Sequence, residues 1–131
     1  MSEINEKKLA KKRFDLNASQ EGTVTKQFEL EKTVTAIKGI LITSDKDDLL
    51  YYRGSQRIEI NGEEIFPESY ESKLLLSGIN VAPRLRFYDL GSIPPGNGIV
   101  KVSFTDTADE RTEFEAYRVS IYLECEMEDD K

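Results

Sequence analysis

Hydrophobic and polar residues alternate with a period of two along much of this chain, which is typical of β-strands that bury one face. Within residues 23–123 no long segment repeats with the helical period of about 3.6 residues. Three places show the alternation best: Val24, Phe28 and Leu30, then Val100, Val102 and Phe104, and finally Tyr117, Val119, Ile121 and Leu123. We predict a half-buried strand at each of them.

A central strand is predicted over residues 34–43. Its alternation breaks around Lys38-Gly39, and the apolar run Ile40-Leu41-Ile42 follows directly. Glycine permits the β-bulge that such a break requires. We therefore expect an interior strand with an irregularity near Gly39.

A β-hairpin is predicted at Asn61-Gly62, the residue pair that most strongly favours a two-residue turn between strands. Such a turn pairs Ile58 with Ile65 and sets Glu59 opposite Glu64. Two like charges are tolerated in that arrangement only on a face that is open to water.

Three shorter apolar runs complete the expected strands, at residues 49–52, 74–76 and 84–87. Residues 91–98 contain two prolines and three glycines, and residues 105–112 are polar. Prolines lack a backbone donor and glycines favour turns, so we predict loops at both segments.

The strand count and spacing define the fold class. About eight strands separated by turns at intervals of roughly 8–12 residues are typical of an antiparallel sandwich or barrel. We predict an all-β fold, an antiparallel eight-stranded β-sandwich with a jelly roll favoured. An immunoglobulin-like sandwich is less favoured because tryptophan and a cysteine pair are both absent. A small barrel has the same strand spacing and stays open.

Composition restricts the chemistry of the chain, which has no histidine and a single cysteine. This excludes a histidine general base, Ser–His and Cys–His nucleophile pairs, and zinc or haem sites built from His and Cys. The 25 acidic residues would bring some pair of carboxylates together in almost any fold, so no acid–base pair stands out. We expect no catalytic residue, no cofactor and no enzymatic activity.

The net charge of −7 is distributed unevenly among three segments. We predict a basic amino-terminal arm at residues 1–22, a sandwich domain at 23–123 and an acidic tail at 124–131. Residues 3–13 are interpreted either as a short helix that orders on a partner or as a frayed terminus. An acidic body disfavours nucleic-acid binding, so only the arm could contact a polyanion. The arm's predicted partner-binding residues are Lys7, Lys8, Lys11, Lys12 and Arg13.

Asp45, Asp47 and Asp48 form the cluster that most resembles a cation site, because carboxylates two apart in a loop can share calcium. The cluster fails the EF-hand pattern, since Leu50 stands where glycine is needed and Gln56 where the bidentate glutamate is needed. We predict a solvated turn and no metal. A second acidic turn with the same interpretation contains Asp106, Asp109 and Glu110.

Cys125 cannot form an internal disulfide, because it is the only cysteine, and the first twenty residues lack an apolar stretch of signal-peptide length. No run approaches the roughly 20 apolar residues that cross a bilayer. These features predict a cytoplasmic protein without a membrane span. The neighbouring Glu124 and Glu126 disfavour the thiolate, so an unreactive thiol is expected.

The chain contains six tyrosines, a residue type that combines contact area with a polar tip and is frequent in interfaces. Tyr122 shares its strand face with Arg118 and Ser120, opposite the apolar face. We therefore predict that Tyr122 contacts a partner.

The charged arm at residues 1–22, about eight strands from Thr23 to Leu123, the hairpin at 57–66 and the Pro94-Pro95 loop suggest a family. Together they resemble the small single-jelly-roll capsid proteins of icosahedral viruses and phages, particularly the vertex (penton) proteins of tailless phages. The resemblance covers nearly the whole chain and rests on architecture. It implies a virion protein, assembled in a bacterial cytoplasm as a homo-oligomer such as a pentamer, whose arm contacts neighbouring capsid proteins. Contact of the arm with packaged nucleic acid is the less favoured expectation.

Two other classes stay open. A carbohydrate- or ligand-binding β-sandwich would use exposed tyrosines in a loop cleft. A small lyase or isomerase of barrel type would need a buried carboxylate with a raised pKa. Either alternative would place the chain in the cytoplasm rather than in a virion.

Overall fold

The computed structural model describes residues 8–71 and 87–128. Lys7 and the predicted strand at 74–76 lie outside these ranges, as does most of the one at 84–87. The described residues form eight strands and one short helix. In chain order these elements are β1 (Lys8–Ala18), β2 (Gly22–Glu29), β3 (Val34–Ser44), α1 (Asp47–Arg53), β4 (Gly54–Ile60), β5 (Glu63–Glu71), β6 (Tyr88–Ile93), β7 (Ile99–Asp106) and β8 (Tyr117–Met127).

The strands form two four-stranded antiparallel sheets, which confirms the prediction of an all-β, sandwich-like fold with eight strands. The first sheet has the order β1-β8-β3-β6 and the second the order β2-β7-β4-β5. Four of the pairs follow one rule, in which β1 pairs with β8, β2 with β7, β3 with β6 and β4 with β5. The chain is thus folded in half about the β4–β5 turn, and successive strand pairs lie in alternate sheets.

One apolar cluster fills the space between the sheets. The alternating rows predicted in β7 and β8 are buried, with every member at most 3% exposed. Rings from opposite sheets also meet: the centroids of Phe14 and Phe28 lie 4.6 Å apart, and those of Phe104 and Tyr117 lie 6.1 Å apart. Burial of each such side chain contributes about 1.5–3 kcal/mol, so the period-two pattern is the main source of stability.

The prediction of a central β3 with a bulge is confirmed. The strand lies between β8 and β6, and its register with both neighbours shifts between Ile37 and Gly39. A Cβ atom on Gly39 would lie 3.1 Å from Cβ of Phe87 and 3.2 Å from the carbonyl oxygen of Tyr88. Glycine is therefore favoured here, because the segment that leads into β6 approaches closely and would have to shift to admit a Cβ atom.

The predicted turn at Asn61-Gly62 is also confirmed, since both residues have positive φ, at 56° and 79°. This is the requirement of a type I′ turn, whose twist matches that of the flanking strands. Glu59 does lie opposite Glu64, but the pairing of Ile58 with Ile65 is wrong. A register shift between Ile58 and Glu59 places Ile58 opposite Phe66 instead.

The like-charged pair in this hairpin is stabilised by an arginine that the sequence pattern did not single out. Arg57 donates from Nε to Glu64 at 2.7 Å and also forms an ion pair with Glu59. The two glutamates therefore share a cation on the outer face of the second sheet, which offsets their repulsion.

The strands β1 and β8 extend beyond the predicted sandwich domain at 23–123. Residues 8–18 form a strand along the full length of β8, where the sequence suggested part of an arm or a helix. The signal was present in the alternation of Phe14, Leu16 and Ala18, which face the core. At the other end β8 continues to Met127 and buries Cys125, so the sandwich includes the first part of the predicted acidic tail.

The apolar run at residues 49–52, which was predicted as a strand, forms part of the helix α1. Leu49, Leu50 and Arg53 are buried while Tyr51 and Tyr52 are exposed, which is helical spacing. Asp47 and Asp48 in the first turn and Arg53 in the last complement the helix dipole. Within the described part of the chain, no helix is long and apolar enough to cross a membrane.

The predicted loop at 91–98 is shorter than expected, because its first three residues belong to β6. Gly91 has a positive φ of 75°, and its amide donates to the carboxylate of Asp89 at 2.8 Å. This local bond takes the place of regular ladder pairing at Gly91, so a glycine that suggested a loop lies in an irregular edge strand.

Candidate functional site

The basic residues predicted to bind a partner lie on β1, where they pair with acidic groups of the same chain. Lys11 forms an ion pair with Glu124 at 3.6 Å, Lys12 pairs with Glu31, and Arg13 pairs with Asp15 at 2.9 Å. The first pair forms because β1 lies beside the acidic end of β8, whereas Glu31 belongs to the connection between β2 and β3 and Asp15 to β1 itself. Lys8 is exposed at the start of β1.

Tyr122 lies directly opposite Arg13 in the β1–β8 ladder. The guanidinium carbon of Arg13 is 5.7 Å from the centroid of the tyrosine ring, so the ring is partly covered by the chain itself. Three other tyrosines expose more of their surface: Tyr51 at 47%, Tyr88 at 43% and Tyr52 at 39%. By exposure, these three tyrosines are therefore better candidates for contact with a partner than Tyr122, which was chosen from the alternation of residues along its strand.

The aspartates considered as a cation site are separated by the start of α1. Asp45 accepts a hydrogen bond at 2.8 Å from the backbone amide of Arg118, and this bond is the main cause of its lowered pKa. Asp47 and Asp48 belong to the first helical turn. No group of three or more His, Cys, Asp or Glu side chains suited to a metal ion occurs within residues 8–71 and 87–128.

A buried ion pair joins the end of α1 to the end of β7. Arg53 and Asp106 are each 3% exposed, and the guanidinium contacts both carboxylate oxygens at 2.9–3.1 Å. Arg53 also donates to Thr112 and to Glu21, which uses the remaining N–H groups of the guanidinium. The prediction that Asp106 belongs to a solvated turn is wrong, because the strand continues two residues further than expected and turns this carboxylate inward.

Tyr117 completes this buried network. Its hydroxyl donates to Oδ2 of Asp106 at 2.5 Å. Burial and this bond to a carboxylate raise the pKa of Tyr117, so the phenol stays protonated and acts as a donor. The network of Arg53, Asp106 and Tyr117 lies beneath the connection between β7 and β8.

A cleft of about 470 Å³ opens above this network. It lies at the end of the second sheet where β4 begins and β5 and β7 end. Its walls come from the carboxyl-terminal half of α1, the first residues of β4, the end of β5 and the loop after β7. The lining residues are Tyr51, Tyr52, Arg53, Gly54, Ser55, Glu71, Thr107, Ala108, Asp109 and Arg111.

One wall of the cleft is a fixed arrangement of three side chains. Arg111 donates to both carboxylate oxygens of Asp109, at 2.9 and 2.8 Å, and its guanidinium carbon lies 4.3 Å from the ring centroid of Tyr52. The hydrogen bonds from Arg111 lower the pKa of Asp109 to about 2, so this carboxylate is ionised at neutral pH. Sequence analysis raised a tyrosine cleft only as a general possibility, because it placed Tyr51 and Tyr52 on a strand.

Cys125 lies in the core of the first sheet, where it is fully buried. Burial is the main reason that its pKa is raised to about 11, and Glu124 adds a smaller contribution. The expected suppression of the thiolate is therefore present, with desolvation rather than the neighbouring glutamates as its principal cause.

Comparison of the chain with protein-family models, with curated proteins and with solved structures finds no match. The fold and the geometry of the surfaces therefore carry the functional argument.

Proposed function

We propose that this chain is a non-enzymatic structural subunit of a bacteriophage capsid, of the vertex (penton) or capsid-associated type, built as a jelly roll. The observation that carries the proposal is the pairing of β1 with β8, β2 with β7, β3 with β6 and β4 with β5 across two sheets. A chain that is folded in half and wound in this way follows the eight-stranded jelly-roll plan, which recurs in viral capsid proteins.

Two exposed apolar side chains at opposite edges of the first sheet support ring formation. Leu9 on β1 is 55% exposed and Tyr88 on β6 is 43% exposed, and these strands are the two edges of the sheet. A head-to-tail ring requires two different contact patches on opposite sides of each subunit. A contact between the β1 edge of one copy and the β6 edge of the next would meet this requirement and would shield both edges.

The charge distribution supports the same arrangement. Lys8 and Lys11 are exposed on β1, while each copy carries a net charge of −7. A basic edge is complementary to the acidic body of a neighbouring subunit, and such contacts weaken as salt rises. Under this proposal Lys7, Lys8, Lys11, Lys12, Arg13 and Tyr122 contact adjacent capsid proteins.

The proposal is tested by the oligomeric state of the full chain, measured by native mass spectrometry and sedimentation velocity. We expect the full chain to form closed rings, which are pentamers in a vertex protein. The substitutions Leu9→Glu and Tyr88→Glu should each dissociate these rings. Tyr51→Ala is the matched control, because Tyr51 is equally exposed but belongs to α1. A chain that stays monomeric at every concentration, or rings that survive both edge substitutions, would contradict the proposal.

A further inference from the structure

The cleft at the end of the second sheet has features that a shell subunit does not require. Its volume of about 470 Å³ falls within the usual range of small-molecule sites, roughly 300–1,000 Å³. Two of the four large hydrophobic side chains exposed among the described residues, Tyr51 and Tyr52, stand at its rim. Their rings meet edge to face with centroids 5.0 Å apart, which sets two aromatic faces at an angle around the opening.

The base of the cleft is held rigidly. Arg53 is fixed from below by Asp106, Glu21 and Thr112, and its carbonyl oxygen accepts the amide of Thr107 at 2.9 Å. Arg111 is fixed by Asp109 and by the ring of Tyr52. A site whose walls are ordered before binding loses little conformational entropy on binding.

The charges of the described part of the cleft lining are balanced, which restricts the class of ligand. The described lining contains two arginines and two carboxylates; the donors of Arg53 are used within the chain, and Arg111 uses two of its donors on Asp109. A phosphate that approached the other N–H groups of Arg111 would lie beside the ionised carboxylate of Asp109, and a metal cation would have to compete with Arg111 for that carboxylate. The balance favours a neutral ligand.

The other polar side chains in the described lining carry hydroxyls. Ser55 and Thr107 line the cleft together with the phenols of Tyr51 and Tyr52. A neutral sugar matches this set, because its hydroxyls both donate and accept and its C–H face packs on an aromatic ring. The geometry points to a binding site for a neutral carbohydrate, with Tyr51 and Tyr52 contacting the sugar ring and Ser55, Thr107 and Asp109 contacting its hydroxyls. This inference does not depend on capsid assembly.

The experiment measures binding of the full chain to an array of neutral and acidic oligosaccharides, followed by titration calorimetry with the best neutral oligosaccharide. Tyrosine fluorescence gives a second readout, because the chain has no tryptophan. We expect saturable binding that is weakened about tenfold in Tyr51→Ala, the loss typical of an aromatic contact residue. Tyr51→Phe should retain most of the affinity because it keeps the ring.

Lys101→Ala is the control, since Lys101 is exposed on β7 and does not line the cleft, and it should bind like the unmodified chain. Arg111→Gln provides a second variant, which releases Asp109 and uncovers Tyr52 without changing the core. The inference is overturned if no neutral oligosaccharide binds, if inorganic phosphate or acidic glycans bind in preference, or if Tyr51→Ala and Arg111→Gln both keep full affinity. Binding by the monomeric Leu9→Glu variant would separate this result from the outcome of the assembly test.

Discussion

The hydroxyl of Tyr117 lies 2.5 Å from Oδ2 of Asp106, and this hydrogen bond joins the first residue of β8 to the last residue of β7. These strands belong to different sheets, so the bond closes the connection at residues 107–116 and links the two layers at one end of the sandwich. Arg53 binds the same carboxylate from α1. One buried aspartate therefore connects a helix, a loop and both sheets.

Substitution of Tyr117 by Phe should lower the free energy of unfolding by about 1.5–3 kcal/mol, the range for a hydrogen bond to a charged group. The ring and its packing against Phe104 are kept, so the loss reports the hydroxyl alone. Urea denaturation measures the change. The control, Tyr88→Phe, alters an exposed phenol and should change stability by less than about 0.5 kcal/mol. Equal stability of both variants would show that the bond contributes nothing.

Substitution of Arg53 by Met should cost about 3–5 kcal/mol, because it leaves the buried carboxylate of Asp106 without its cation. The double variant Arg53→Met with Asp106→Asn should recover part of this loss, since the amide is neutral and its oxygen still accepts from Tyr117. Guanidinium denaturation of the double variant and of the two single variants, Arg53→Met and Asp106→Asn, tests the coupling. If the loss of stability in the double variant equals the sum of the two single losses, an unpaired charge is not the cause of the destabilisation.

Substitution of Gly39 by Ala should destabilise the chain by about 1–3 kcal/mol, the usual cost of overpacking. The added Cβ would meet Cβ of Phe87 at 3.1 Å and push β6 away from β3. Thermal unfolding measures the loss. A second substitution, Phe87→Ala, leaves that Cβ in place and should give little relief, whereas Phe87→Gly should give more. The opposite order would refute the proposed contact.

The thiol of Cys125 should resist alkylation in the folded chain and react once the chain unfolds. Its pKa is raised to about 11, above the ordinary value of 9.0 that applies after unfolding. Between these values the folded state binds more protons, so stability should fall as the pH rises from about 9 to 11. Cys125→Ser removes the raised thiol pKa and should flatten this part of the profile. Rapid iodoacetamide labelling of the native chain at neutral pH would contradict the expectation.

The alternation of hydrophobic and polar residues was sufficient to predict the strands whose apolar residues face the core. It located β7 and β8, the bulge of β3 and the turn at Asn61-Gly62, because each depends on neighbouring residues alone. It failed for α1, where four apolar residues in a row fit a strand or a helix and the burial of Leu49 and Leu50 decides between them. It also missed β1, because the lysines that suggested an arm obscured the alternation of Phe14, Leu16 and Ala18.

The sequence could predict the type of candidate site but not the residues that form it. Exposed tyrosines in a loop cleft were foreseeable from the number of tyrosines, but Arg53 and Asp106 are 53 positions apart and neither belongs to a recognisable motif. Only the pairing of β4 with β7 brings them together, with Gly54 opposite Asp106. The lysines of β1 were visible as a basic group, whereas their pairing with Glu31 and Glu124 required the strand order.

The sequence by itself determined that this chain forms antiparallel strands with one buried face, because period-two hydrophobicity gives a sheet one apolar face that another layer must cover. The tertiary structure decided which strands are neighbours, where the sandwich begins and ends, and which polar side chains are buried. Those choices depend on contacts between residues far apart in the chain, where the energy of a pairing such as Arg53 with Asp106 arises only after the sheets have closed.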